Sequence, residues 1–279
     1  SFWYRALGAS PAPDPNSPAL VANFNAAAAN GVGINNDSYS IPIYTVPPGE
    51  PTVNVANRSS DPGCNTDPTL DQMLSAVPIP PGAQPAGPAG GDNALVVYQP
   101  SSDTEWEIWG AQNNGGQWTR CYGGRISPVS GSSGVFPYPY GLSASGLSYL
   151  ASAIRVSELE AGTIPHALAV NVPCGAPPVA PANRSDGGGA IAGGCIPEGT
   201  HFRLDPTLNL NTLGLSPGAL TIARALQTYG MYVTDQAGGT VLMGEDVVSA
   251  GSNPYPGLGL DAWPPLGGIP WNRLVAVTG

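Results

Sequence analysis

Glycine or proline falls at about one position in four of this chain, with 38 glycines and 32 prolines among 279 residues. Glycine costs backbone entropy when ordered, and proline removes a donor and fixes φ, so neither suits the interior of a helix or a central strand. Regular elements must therefore be short and joined by many tight turns. Apolar residues still make up 42% of the chain. That is enough to bury a core, and it excludes disorder throughout. The length fits one large domain or two small ones.

Within these limits the elements can be read from period and punctuation. A helix is expected over 18–29, with Ser17 as cap, Pro18 in the first turn and Asn30-Gly31 as stop. Alternation predicts strands over 39–46, 52–55 and 104–111, and the apolar run over 94–99 reads as a buried strand. The stretches 57–68 and 78–92 read as turns. Asn113-Asn114-Gly115-Gly116 is strong turn chemistry, which makes 116–123 the hairpin partner of 104–111. Short helices are expected over 147–153 and 156–161, the second closed by Gly162. Strands follow over 166–172 and 200–205. Ser216-Pro217 opens a helix to about Gln227, with Gly230 as its stop. Met231–Asp235 and Thr240–Met243 read as a hairpin. Short strands separated by Gly/Pro turns point to a mainly β chain, an antiparallel, jelly-roll-like β-sandwich with about three short helices. No domain-scale linker appears. The expected organisation is a single domain, with an irregular part over 1–93, a sandwich core over 94–250 and a C-terminal loop over 251–279.

The charge pattern restricts partners. There is no lysine, and nine arginines face nineteen acids, for a net charge of -10 and a pI near 4.3. Such a chain is repelled by nucleic acid and by anionic membranes, and no apolar run approaches the length of a membrane span. The opening Ser1-Phe2-Trp3-Tyr4 has neither Met nor a basic leader, as in an exported chain whose signal has been removed. The even cysteine count fits an extracellular, disulfide-bonded protein. Three pairings of Cys64, Cys121, Cys174 and Cys195 are open, and sequence neighbours favour Cys174–Cys195, which leaves Cys64–Cys121. With no Cys-x-x-Cys pair and only two histidines, a zinc site is not expected. No dinucleotide or phosphate-loop motif is present, so no cofactor is expected. Asn36, Asn57 and Asn183 each open a glycosylation sequon.

The strand over 104–111 holds the strongest chemical pattern. Alternation puts Glu105, Glu107 and Trp109 on one face, and Trp106 and Ile108 on the other. Carboxylates two residues apart on a strand stand about 7 Å apart. That lies between the retaining (~5–5.5 Å) and inverting (~6.5–9.5 Å) spacings of glycosidases. The indole of Trp109 offers a platform for a sugar ring. His166 is a candidate to orient Glu107 or to share its acid–base work, although a histidine on an apolar strand is commonly a structural group. Arg203 and Asp235 are candidate substrate contacts, and Arg184 and Asp186, in the glycine-rich loop between Cys174 and Cys195, are placed to rim a site.

Four stretches recur together elsewhere: Trp106-Glu107-Ile108-Trp109, Gly162-Thr163-Ile164-Pro165-His166-Ala167-Leu168, Pro197–Leu204, and Ala225–Met231 leading to Asp235. Through them the chain resembles a widespread group of secreted bacterial proteins with no activity attached. The resemblance covers about half of the chain, most of it between Leu142 and Asp246, and not the first hundred residues. It implies architecture rather than chemistry.

The functional expectation is a secreted carbohydrate-active protein, in one form a glycoside hydrolase. There Glu107 would be nucleophile or base, Glu105 or another acid the proton donor, His166 the orienter and Trp109 the sugar platform. The alternative is a non-catalytic extracellular protein that binds carbohydrate or self-assembles. The expected partner is a polysaccharide or glycan. A catalytic site should bury Glu107 and His166 together in one cleft; a structural role should leave Glu105 and Glu107 apart, on an exposed or interface-covered strand.

Overall fold

The computed structural model describes residues 1–9, 11–58, 61, 64, 66–87 and 91–278. Ser59 of the sequon at Asn57 and parts of the turn stretches 57–68 and 78–92 lie outside the described residues. The strands in chain order are β1 (Gly33–Asn35), β2 (Ile43–Thr45), β3 (Val55–Asn57), β4 (Leu95–Gln99), β5 (Thr104–Trp109), β6 (Gln112–Asn114), β7 (Gln117–Arg120) and β8 (Tyr122–Ile126), followed by β9 (Leu168–Val172), β10 (Gly175–Ala176), β11 (Ile196–Pro197), β12 (His201–Leu204), β13 (Met231–Gln236), β14 (Val241–Met243) and β15 (Leu274–Val277). The α-helices are α1 (Ser17–Ala27), α2 (Pro68–Met73), α3 (Val156–Ala161), α4 (Pro217–Thr228) and α5 (Val247–Ala250).

These elements do not build a β-sandwich. Among the described residues they form a mixed α/β fold of four separate sheets and five α-helices. The largest sheet runs β1-β14-β9-β13-β12-β15, and a second runs β2-β4-β5-β8. A three-stranded sheet β3-β7-β6 and a two-stranded one, β10-β11, complete the set. The sandwich expectation fails because alternation shows that a strand exists but not which strand it pairs with. Five pairs are parallel: β1 with β14, β2 with β4, β3 with β7, β9 with β13 and β10 with β11. Parallel neighbours need long connections and join distant parts of the chain. So β1, β2 and β3, all within the first 93 residues, complete three different sheets, and β15 in the C-terminal segment forms an edge of the largest.

Other local expectations change for related reasons. β13 and β14 do not form a hairpin, because β9 lies between them, parallel to β13 and antiparallel to β14. Every residue of β9, Leu-Ala-Val-Asn-Val, is buried, the mark of a strand covered on both faces. The tight turn at Gly115-Gly116 joins β7 to β6, while β5 pairs with β8. Both turn glycines have positive φ, +64° and +92°, as a two-residue turn of this hand requires. The segment 147–153 is a run of turns rather than a helix. Asn16 stands at the N-cap position of α1 without a side-chain capping bond, and Ser17 lies inside the helix and accepts the backbone N–H of Ala276 at 2.9 Å.

α4 follows its sequence closely. Ser216 accepts the N–H of Ala219 at 3.3 Å, Pro217 fills the first turn, and Ala219, Ile222, Ala223 and Leu226 are buried. That face shares a core with α1 and the six-stranded sheet. A second core lies between α2 and the four- and three-stranded sheets, around Leu70, Leu95, Val97, Trp106 and Ile108. A third group, Ile41, Ile43, Val96, Tyr149, Ala169 and Met243, joins the two large sheets. Cys64 pairs with Cys121 and Cys174 with Cys195, the pairing that sequence neighbours favour. No described helix is long and apolar enough to cross a membrane.

Candidate cleft between the two large sheets

A cleft of about 360 Å³ opens where the two large sheets meet, within the range of small-ligand sites. Its lining comes from distant parts of the chain. β5 and β8 contribute Trp109 and Tyr122, and the turn before β4 contributes Asp92. β13 ends there with Asp235 and Gln236, and the loop closed by Cys174–Cys195 brings Arg184 and Asp186. Tyr39 rims it from the segment before β2. This residue has φ +55° and is half exposed. An aromatic side chain in the left-handed region is a strained conformation of the kind that gathers at ligand clamps. Tyr149 and Asn171 form the floor.

The polar groups are wired to each other. Trp109 donates its indole N–H to Asp92 at 3.2 Å. The Asp235 carboxylate accepts the N–H of Ala144 at 2.9 Å and of Gln236 at 2.8 Å. The Gln236 side chain spans two segments: it accepts the Gly175 N–H at 2.8 Å and donates to Asp186 at 2.9 Å. Arg184 donates to the carbonyls of Gly141 (3.1 Å) and Ser143 (2.5 Å), with its guanidinium 5.5 Å above the Tyr122 ring. Burial pushes the Asp235 carboxyl up to about 7, and Asp186 and Asp92 add to the rise. The buried Glu198, next to the cleft wall, is pushed up to about 9 by burial and then by Asp186 and Asp235. Burial also lowers the Arg184 guanidinium from its ordinary value.

The carboxylate pair of β5 lies elsewhere. Glu105 and Glu107 do share a face, with Trp106 on the opposite one, as alternation requires. That face meets protein instead of solvent, and both residues are essentially unexposed. Glu107 accepts the backbone N–H groups of Tyr149 at 2.6 Å and Leu150 at 3.1 Å. Glu105 accepts the Ser148 hydroxyl at 3.2 Å. The pair therefore holds the 148–150 turn against the sheet. Burial drives the Glu107 carboxyl up to about 7 and Glu105 well above its ordinary value, with Glu107 adding to the rise at Glu105. Glu105 borders only a small hollow of about 40 Å³ beside Ser148 and Tyr4, too small for a sugar.

His166 does not join Glu107. It is buried, with Nδ1 2.8 Å from the Ala167 carbonyl and Nε2 3.1 Å from Glu158. Arg203 is also away from the cleft; it donates to the carbonyls of Gln227 at 2.8 Å and Gly8 at 2.6 Å. Among the residues named from the sequence, the cleft holds Trp109, Asp235, Arg184 and Asp186. Tyr39, Asp92, Tyr122 and Gln236 were not singled out. A Gly-Gly-Asp turn at 90–92 is the one sequence signal near any of them, and it is generic.

At the sequons, the Asn183 side chain donates to the Phe136 carbonyl at 2.8 Å, and the Asn57 side chain is held between Thr66 and Arg120. Asn36 is half-buried at the edge of a second cleft, beside Asp37 and Trp263.

The two carboxylates that carried the hydrolase expectation are buried against the 148–150 turn, and nothing in the β5 pair supports glycoside hydrolysis. Comparison with known proteins finds no matching family model, no matching curated protein and no matching solved structure.

Proposed function

We propose that this chain is an extracellular binding protein that holds a saccharide in the cleft between its two large sheets, without hydrolysing it. One observation carries the reading: the aromatic side chains of Trp109, Tyr39 and Tyr122 converge with the acceptors Asp92, Asp186 and Asp235 on one concave surface. Sugar rings present apolar C–H faces and outward hydroxyl donors, so an aromatic platform beside fixed carboxylates matches both parts of the ligand. The platform is rigid, because Trp109 ends a strand and its indole is tied to Asp92. Two disulfides and an acidic, lysine-free composition suit an oxidising compartment outside the cell.

The test is a panel of neutral and charged oligosaccharides, screened by calorimetry against wild type and Trp109→Ala. Binding that weakens at least tenfold in the variant is expected. Absence of binding to every oligosaccharide, or binding that Trp109→Ala leaves unchanged, would sink the reading.

A further inference from the structure

The cleft is unbalanced in charge and in hydrogen-bonding groups. Three carboxylates line it, from Asp92, Asp186 and Asp235, and Arg184 is the one basic residue among the described lining. The Arg184 terminal nitrogen already serves two carbonyls. The Tyr122 hydroxyl donates to the Pro139 carbonyl at 3.1 Å, and the Trp109 N–H is taken by Asp92. Most of these donors are engaged, the buried Arg184 Nε excepted, and the carboxylate acceptors are in excess. A carboxylate has about four lone-pair sites, and Asp235 uses two for backbone N–H groups while Asp186 uses one for Gln236.

A second observation points to the same end of the cleft. Glu198 is 0% exposed, and neither carboxyl oxygen has a hydrogen-bond partner. Asp186 and Ser185 both interact with it, and Asp186 is the second cause, after burial, of its raised pKa. Its Oε1 borders the same point as the Gln236 side chain: a Cβ placed on Gly175 would meet Gln236 Cγ at 3.0 Å and Glu198 Oε1 at 3.1 Å. Gln236 lines the cleft, so Glu198 stands one layer behind it. Burial and Asp186 hold Glu198 in its neutral form near pH 7, and a positive group in the cleft would favour its ionisation.

We propose that the saccharide bound here is an amino sugar, with a protonated amine at the Asp186–Asp235 end and its ring on Trp109. An ammonium brings three donors and no acceptor, the complement of this wall, and it is attracted to aromatic faces as well as to carboxylates. Anionic sugars are repelled by the same wall. The inference rests on the saccharide reading and narrows it.

Calorimetry with three trisaccharides tests it: fully deacetylated β-1,4-glucosamine, its N-acetylated form, and the β-1,4-glucose trimer. The oxygens beside a sugar amine make it much less basic than a lysine amine, so the titrations are run near about pH 6, where it is largely protonated. The glucosamine trimer should bind at least tenfold more tightly than either neutral trimer, and its affinity should fall with added salt. Asp186 is exposed, so Asp186→Asn should fold, and it should weaken the glucosamine trimer at least tenfold more than it weakens the neutral trimers. Trp109→Ala should weaken whichever trimers bind by a similar factor. Neutral trimers that bind as tightly as the charged one overturn the amino-sugar proposal and leave the saccharide reading intact. An undiminished preference in Asp186→Asn also overturns it. No binding by any trimer overturns both.

Discussion

Glu107 accepts the backbone N–H of Tyr149 at 2.6 Å, and through this bond a carboxylate on β5 fixes the floor of the cleft from beneath. Tyr149 lines the cleft; Glu107 does not. Its role is to position a turn, with the Leu150 N–H as second partner. Substitutions should therefore separate hydrogen bonding from charge. Glu107→Gln keeps an acceptor for Tyr149 and removes an ionisable group, so its stability at pH 8 should match or exceed wild type. Glu107→Ala orphans two buried donors and should cost about 3 kcal/mol or more. Urea unfolding of the two variants is the measurement. Equal destabilisation in both would show that the carboxylate charge itself is needed.

The buried carboxyls also set the direction of the pH response. Glu107 and Asp235 are raised to about 7, Glu198 to about 9, and Glu105 well above its ordinary value, with burial the first cause in each. A carboxyl whose folded pKa is raised binds more protons when folded than when unfolded between the two values. Its contribution is thus fully present below the ordinary carboxylate range and is lost as pH rises through the folded pKa. His201 acts in the opposite sense. Burial lowers it to about 4, so the folded state loses stability as pH falls from the ordinary histidine value toward 4. With four carboxyls against one histidine, maximum thermal stability should lie on the acid side of neutrality, near about pH 5. Stability should then decline steadily toward pH 9. Melting temperatures from pH 4 to 9 test this, and Glu198→Gln should flatten the alkaline limb. A melting temperature that rises toward pH 8 would contradict the assignment.

Local features of this chain were legible because they depend on near neighbours. Ser216-Pro217 opens α4, the neighbouring cysteines pair, and alternation in β5 puts Trp109 opposite Trp106. The cleft depends instead on juxtaposition. Tyr39, Asp92, Tyr122, Asp186 and Asp235 come from five separated segments brought together by parallel pairs such as β2–β4 and β9–β13. No local period encodes that. Alternation also placed Glu105 and Glu107 on one face without showing whether the face meets water, and the 148–150 turn covers it. Alternation puts His166 on the strand over 166–172, yet β9 begins at Leu168 and the His166 ring meets Glu158, a partner set by the packing of α3.

The Cys174–Cys195 link, 21 residues apart in sequence, closes the loop that carries Arg184 and Asp186 to the cleft. Replacing both cysteines by serine should destabilise the protein by about 3 kcal/mol in the chain-entropy picture. It should also weaken ligand binding more than the loss of stability explains, because Asp186 is held from one side by Gln236 and from the other by this loop. Calorimetry at a temperature where the variant remains folded separates the two effects. Unchanged affinity would mean that the Gln236 bond alone orients Asp186.

Within that loop, two adjacent glycines make a matched pair. A Cβ on Gly187 would stand 2.3 Å from the Gly175 carbonyl carbon and 2.5 Å from its Cα. Both are backbone atoms and cannot swing aside, so Gly187→Ala must move the loop away from β10. That motion strains the Gly175 N–H bond to Gln236 and, through Gln236, the bond to Asp186. A Cβ on Gly188 meets nothing within 4 Å. Gly187→Ala should therefore cost roughly 1–3 kcal/mol, as overpacking does, and should speed hydrogen exchange at the Gly175 amide. Gly188→Ala should stay within about 0.5 kcal/mol of wild type and leave that amide protected. Two variants that behave alike would mean the loop has slack, and Asp186 would then be free to leave the cleft even when the disulfide is intact.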